Sequence, residues 1–526
     1  RARAAEEMPD SASSRASVMA LNFLTTAARE SKDRPYKKLH EYTDEREKAE
    51  AAAARITRHL KTRHAMYSHF GPMVFCKKSG DTSDFGEIAF TGRGTKAKWI
   101  TVSDKTSPGA LGNFVEKFWK CRKPEIIISV TGGAQSFKLR PFLKQKFEAG
   151  FVRAAKDARA WVVTGGTDSG VMELVASAMH DYNIDLPLFG FTPLGCVNGR
   201  ELLSGHRRQT VKYGNVGEGS AAGAPLNPNH THFVLVDNGE APAWGSEIRL
   251  RYEFEQHYAT QRKIPIVQVV VQGGAGTVDN MLEAARKHCP IVIVADSDGA
   301  ATAMYRFCEL RGLFEDPPSA EGSNRPDEAD WENESLGLKK FKEKRAEIEE
   351  IYRLHKESGV HKESGVHKES GVQANQGILL NFYSPNEENA FESDMSATIL
   401  TSIVNVFKVR QQLEAEETFA KPRAGTKPAQ LTRLGTEKRL FEVNQNSAAV
   451  RALLLAVKWD RLDVVNTLLG EIGRDEIDFR SAHRKVLQAA LQLQRTSILE
   501  EFMGLHDFSV GGVNLLPLFT SEDKYQ

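Results

Sequence analysis

From about residue 72 the chain alternates short apolar runs with amphipathic stretches of helical length. The runs EIAF (87–90), EIIISV (125–130), AWVVTG (160–165), LPLFGF (186–191), HFVLVD (232–237), IPIVQVVV (264–271) and PIVIVAD (290–296) read as strands. Several are continuously apolar and β-branched, the signature of strands covered on both faces of a parallel sheet. Between them KLRPFLKQKFEAGFVRAAKDA, GVMELVASAMHDY, EIRLRYEFEQHYATQ and TVDNMLEAARKH carry helical periodicity. This alternation predicts an α/β fold: an open, Rossmann-like, mostly parallel sheet with flanking helices.

The pattern changes on either side of this core. Residues 1–64 are rich in Ala, Arg, Glu and Lys with a thin apolar stripe, and read as a helical, variable extension. The core is expected over 65–315. Residues 316–429 begin with a polar, Pro-containing linker and a charged helix, then repeat HKESGV three times at 355–372. Six is neither a helical nor a heptad period, so the repeat reads as a low-complexity surface loop. Its three histidines are a weak metal candidate. Over 430–526, helix-pair patterns recur at a spacing of about 33 residues, which predicts an all-α, ankyrin-like repeat region without the T-P-L-H signature. The start at Arg and the short helical stack suggest a piece of something larger.

With 526 residues the chain is long enough for two to four domains. Lys and Arg total 70 against 69 acids, a balance that argues against a nucleic-acid or membrane-surface partner. No run is apolar enough to span a bilayer. Five scattered cysteines without a C-x-x-C pair suit a reducing compartment.

Candidate chemistry lies in three glycine clusters, each following a predicted strand: SVTGGAQSF (129–137), VTGGTDSGVM (163–172) and VVVQGGAGTVDN (269–280). A strand, glycine loop, helix order sets backbone N–H groups at a helix amino terminus, where the helix dipole favours phosphate. In an open parallel sheet such loops gather at the carboxyl edge of the strands. Gly132, Gly133, Gly165, Gly166, Gly273, Gly274 and Gly276 would allow close backbone approach, beside Ala134. Thr131, Gln135, Thr167, Ser169 and Thr277 could add side-chain hydrogen bonds to phosphate or ribose. None of the three is a Walker A loop or a full G-x-G-x-x-G, which disfavours ATP hydrolysis and hydride transfer.

GGTDSGVM followed by QGGAGTVDN resembles the superfamily of phosphoribohydrolases, also called lysine-decarboxylase-like proteins. In those enzymes the second motif ends on a carboxylate that takes part in cleaving the N-glycosidic bond. The matching position here is Asn280, and an amide is no general base. Asp279 and Glu283 are the neighbouring acids. Read together, ISVTGGAQSF, WVVTGGTDSGVM, THFVLVDNG, WGSEIRLR, IPIVQVVVQGGAGT and FESDMSATIL resemble the cytosolic N-terminal homology region of melastatin-type transient receptor potential (TRPM) cation channels, over roughly residues 65–526.

That resemblance implies a regulatory region on the cytoplasmic side of a calcium-permeable plasma-membrane channel. ADP-ribose or an analogue would be its ligand and the rest of the channel, a tetramer, its partner. It implies no catalysis and no required cofactor. Arg251 matches a nucleotide-contacting position and Trp244 an aromatic stacking position. An arginine of the nucleotide-binding members is missing near Gly299, a loss of about 1.5–3 kcal/mol unless Arg140, Arg200 or Arg207 substitutes. Asp296 and Asp298 offer a divalent ion as another occupant. Some relatives carry zinc, for which His64, His69 and Cys76, with His180 or Cys196, form an incomplete set. The alternatives are a structural channel-assembly domain with a vestigial pocket and a nucleotide phosphoribohydrolase.

Overall fold

The computed structural model describes residues 84–92, 94–135, 137–203, 207–214, 223–239, 242–314, 328–333, 337–358, 378–385, 394–405, 448–474, 477–479, 483–505 and 508. Ten strands form one sheet: β1 Phe85–Phe90, β2 Lys96–Ser103, β3 Ile127–Gly132, β4 Trp161–Thr164, β5 Leu188–Pro193, β6 Arg207–Tyr213, β7 His232–Asp237, β8 Ile266–Val271, β9 Ile291–Val294 and β10 Leu380–Tyr383. Their spatial order is β10-β9-β8-β3-β4-β5-β7-β2-β1-β6. Every neighbouring pair is parallel except β1 and β2.

Among the described residues, the helices with both ends described include α1 Pro108–Lys117, α2 Pro141–Asp157, α3 Gly170–Asp181, α4 Ile248–Arg262, α5 Ala275–Arg286, α6 Gly299–Leu310, α7 Glu328–Glu332 and α8 Arg345–Glu357. Four more follow: α9 Ala448–Lys458, α10 Leu462–Ile472, α11 Arg484–Gln492 and α12 Thr496–Met503. Alternate strand residues feed opposite layers. Ile128, Val130, Val267, Val269 and Val271 pack with α2 and α3, while Ile127, Val163, Val270 and Ile293 pack with α1, α4, α5, α6 and α8. Both faces are covered, which is why the central strands read as unbroken apolar runs.

All seven predicted strands are present. β2, β6 and β10 were not predicted, and β10 draws the sheet beyond the expected boundary at 315. The first copy of the repeat also departs from the expected loop. Residues 355–357 are the last turn of α8 and His355 is buried. Its Nδ1 accepts the Leu380 N–H at 3.0 Å, capping edge strand β10, and the Ser358 hydroxyl accepts the Ile378 N–H at 3.1 Å. Burial lowers the His355 pKa to about 4, so its ring is a neutral acceptor. The other copies lie outside the described residues, as does the expected 1–64 extension.

Helices α9 to α12 form two helix pairs whose members also pack across, α9 on α11 and α10 on α12. They join the apolar layer of α2 and α3 through residues such as Leu453, Leu468 and Phe502. Two polar ties reinforce this contact: Lys458 donates to Glu125 at 2.6 Å, and Asp394 lies 2.8 Å from Arg461 and 3.6 Å from Arg153. Among the described residues no helix is long and apolar enough to cross a membrane.

Candidate functional site at the carboxyl edge

Strands β3, β4, β5 and β7 succeed one another in one direction across the sheet, while β8, β9 and β10 start again on the other side of β3. The loops after β3 and β8 therefore leave in opposite directions, and the crevice between them is the switch point where open α/β sheets bind ligands. The structure brings the first and third glycine clusters together there.

Most of these glycines are used in packing loop on loop. A Cβ on Gly132 would sit 1.9 Å from the Val271 carbonyl oxygen, and one on Gly133 would sit 1.9 Å from Gln272 Oε1. Gly166 is buried against Gly190, Gly165 touches Met172, and Gly273 is covered by Thr277. The Val171 N–H at the start of α3 is taken by the Gly133 carbonyl at 2.8 Å. Gly274 and Gly276 differ: nothing lies within 4 Å of a Cβ built on either. Both are exposed, and α5 starts there without a side-chain cap. Its first N–H groups and positive dipole end are open to an anion.

Behind this opening lies a buried polar cluster. Arg251, on the first turn of α4, donates through Nη2 to Ser129 Oγ, Val130 O and Val163 O, each at 2.9 Å. Its Nε donates to Glu255 at 3.0 Å, and Glu255 is only 3% exposed. Burial pushes the Glu255 carboxyl pKa up, and Arg251 and Ser129 oppose that rise. Burial likewise raises Glu247, which accepts the Gly245 N–H. Arg251 thus ties β3 and β4 to α4, and among the described residues Nη1 has no hydrogen-bond partner. Asn280 Nδ2 donates to Thr131 Oγ1 at 3.2 Å and Gln268 Nε2 to the Asn280 carbonyl at 3.3 Å. The two neighbouring acids point elsewhere: Asp279 pairs with Lys344 at 2.6 Å, and Glu283 with Arg286 at 3.2 Å.

Around the rim, Trp244 is 53% exposed and so is no part of the core. Ala134 and Gln135 are exposed as well, and Ser169 is half-buried at the α3 amino terminus without a capping bond. Thr131, Thr167 and Thr277 are buried. The Thr277 hydroxyl faces the Gly132 carbonyl at 3.4 Å, and the Thr167 hydroxyl lies 3.4 Å from that of Ser169.

Sequence reasoning missed the support of the second loop. Asn227 Nδ2 donates to Asp168 at 2.6 Å, and its Oδ1 lies 3.2 Å from His230 Nδ1. His230 Nε2 lies 2.7 Å from the Thr164 hydroxyl, which accepts the Gly166 N–H at 3.0 Å. Complete burial holds His230 neutral, with its pKa lowered to about 3. No local motif announces this chain, because its members come from segments about sixty residues apart.

The loop after β9 leans on the third glycine cluster. Gln272 N donates to Ser297 Oγ at 2.7 Å, and Ala300 N to the Gly273 carbonyl at 2.8 Å. At Gly299, φ is +60° and a Cβ would meet that carbonyl at 2.3 Å. An arginine here would displace both loops, so the position is closed as well as uncharged. A cation on another loop stands close by. Arg140, 69% exposed just before α2, places Nη2 3.8 Å from Asp296, which also accepts from Ser384. Since β8 lies between β3 and β9, this pair straddles the third glycine loop. Arg200 donates to the Gly195 carbonyl instead, and the Arg207 side chain lies outside the described residues.

His64, His69 and Cys76 also lie outside the described residues. His180 closes α3 near the amino edge of the sheet, whereas Cys196 follows β5 at the carboxyl edge. Among the described residues no three His, Cys, Asp or Glu side chains converge to hold a metal, Asp296 and Asp298 included.

Residues 97–311, from β2 to just past α6, match a family model described as SLOG in TRPM. The chain is 34% identical over 255 residues to transient receptor potential cation channel subfamily M member 1 of Mus musculus, covering 45% of this chain and 16% of that protein. Against subfamily M member 2 of Rattus norvegicus identity is 34% over 246 residues, 44% of this chain and 16% of the relative. Against member 7 of Homo sapiens it is 30% over 263 residues, 47% of this chain and 14% of the relative. The match therefore spans about a sixth or less of each relative's length. The glycine loops, Arg251 and Trp244 all fall inside the stretch that is similar to SLOG in TRPM.

Proposed function

We propose that this chain is the nucleotide-sensing cytosolic region of a calcium-permeable, non-selective cation channel, which binds ADP-ribose or a close analogue without hydrolysing it. The observation that carries this reading is the exposed, uncapped amino terminus of α5 at Gly274 and Gly276, at the switch point within the stretch similar to SLOG in TRPM. A diphosphate there would meet the α5 dipole, Arg251 Nη1 and Arg140, while Trp244 offers a face for adenine. Asn280 stands where hydrolysis would need a carboxylate, and Asp279 and Glu283 are held outside by cations.

A ligand that tightens the glycine loops would act on α3 and α2, and through them on α9 to α12. Under this reading those helices are ankyrin-like repeats that pass a population shift to the rest of the channel and to neighbouring subunits of a tetramer. The test is calorimetric titration of the chain with ADP-ribose. Saturable binding is expected, weakened about tenfold in Arg140→Ala and strengthened in Asp296→Asn, which frees Arg140 from its partner.

The packing of most loop glycines on one another favours a second reading, a channel-assembly domain with a vestigial pocket. Silence from ADP-ribose, AMP, ATP and NAD alike would select it. Release of free base or ribose 5-phosphate would select a phosphoribohydrolase.

A further inference from the structure

The opposite edge of the sheet carries a cleft of about 210 Å³ that the glycine loops do not reach. It opens where β2, β5 and β7 begin and where α3 ends, walled by the buried His230. Met179, Ile184, Leu186 and Leu188 supply an apolar floor. Above it stand Lys96, Thr95, Asn183 and Asn229.

Among the described residues these polar side chains find no partner. The Thr95 hydroxyl is buried without a hydrogen-bond partner. Lys96 makes no ion pair among the described residues, and the side-chain amides of Asn183 and Asn229 make no hydrogen bond there. Among the described residues no Asp or Glu lines the cleft. His230 adds no charge, its ring being held by Thr164 and Asn227. Lys96, the exposed His180 beside it at the end of α3, the side-chain amides and an apolar floor define a narrow chemistry. Phosphate would bring more charge than Lys96 balances, beside the negative end of the α3 dipole. A hydrocarbon would leave the ammonium unpaired.

We propose that this amino-edge cleft is a second binding site, built for a small amphipathic monoanion such as an aromatic carboxylate. The carboxylate pairs with Lys96, and the ring lies on Leu186 and Leu188. His230 joins this wall to the loop after β4, so an occupant touches the same hydrogen-bond chain that supports the TGGTDSG loop.

The test titrates the whole chain with 4-fluorobenzoate and, separately, with uncharged 4-fluorobenzyl alcohol, each followed by its fluorine NMR linewidth. Saturable binding of the carboxylate near ~1 mM is expected for ten heavy atoms. The alcohol binds about tenfold more weakly, and Lys96→Met removes that preference. Lys96 is exposed, so the variant keeps the fold, as its circular dichroism will report. Leu186→Glu, which places an acid on the floor, abolishes carboxylate binding. Absence of saturation overturns the proposal, as does equal affinity for the two probes or an affinity unchanged in Lys96→Met. Loss of binding in Arg140→Ala places the anion at the carboxyl edge and overturns the assignment too. An unaltered Arg140→Ala separates this site from the nucleotide reading, on which it does not rest.

Discussion

The two edges of the sheet solve different problems with different materials. At the carboxyl edge the open groups belong to the backbone: the start of α5 is bare, and Arg251 makes four hydrogen bonds that hold β3, β4 and α4 together. At the amino edge, buried neutral histidines hold the frame and side chains line the cleft. Sequence motifs mark the first edge because glycine is a backbone requirement. They leave the second edge unmarked, since Lys, Thr and Asn are common anywhere.

The largest expected effect separates the edges by acid. His230 and His232 have pKa values lowered to about 3 by burial, against about 6.5 unfolded. Between those values the unfolded chain binds more protons. Their contribution is therefore complete above pH 6.5 and is lost as pH falls, with a limiting slope of about 1.4 kcal/mol per unit for each histidine. Denaturant unfolding from pH 7 to pH 4 should show this slope. Hydrogen exchange should open first near β5 and β7.

Arg251→Ala should cost about 3–5 kcal/mol in chemical unfolding, because Glu255 would remain buried and unpaired. An equally stable variant would mean that Arg251 is chiefly a ligand residue. Gly299→Ala comes next, at about 1–3 kcal/mol from its positive φ and the close Gly273 carbonyl, read in the thermal midpoint. Arg140→Ala should shift stability by less than ~1 kcal/mol, since its ion pair is exposed, while moving nucleotide affinity about tenfold. The contrast between Arg251 and Arg140 tells which arginine holds the fold and which the ligand. Smallest is Lys458→Ala, about 1 kcal/mol or less, which loosens the tie to Glu125 without touching either edge.

The central strands were legible because burial on both faces writes itself as continuous Val and Ile. β2 and β6 were not, since KAKWITVS and RRQTVKY interleave lysines and arginines with their apolar residues. Lys98 is tolerated in β2 because its ammonium reaches the Trp119 carbonyl at 2.7 Å. β10 has four residues and follows a repeat, so nothing local announces it. The first HKES of that repeat is helix and cap because Leu380 supplies a donor to His355.

By itself the sequence determined the layer order, the glycine loops and the absence of a carboxylate at Asn280, all of which follow from local periodicity and residue identity. Tertiary structure decided which glycines pack and which stay open, that Gly299 has no room for an arginine, and that Arg140 reaches across to Asp296. It also assembled Asp168, Asn227, His230 and Thr164 into one buried chain. Such facts depend on distances between segments remote in sequence, and no spacing rule along the chain encodes those distances.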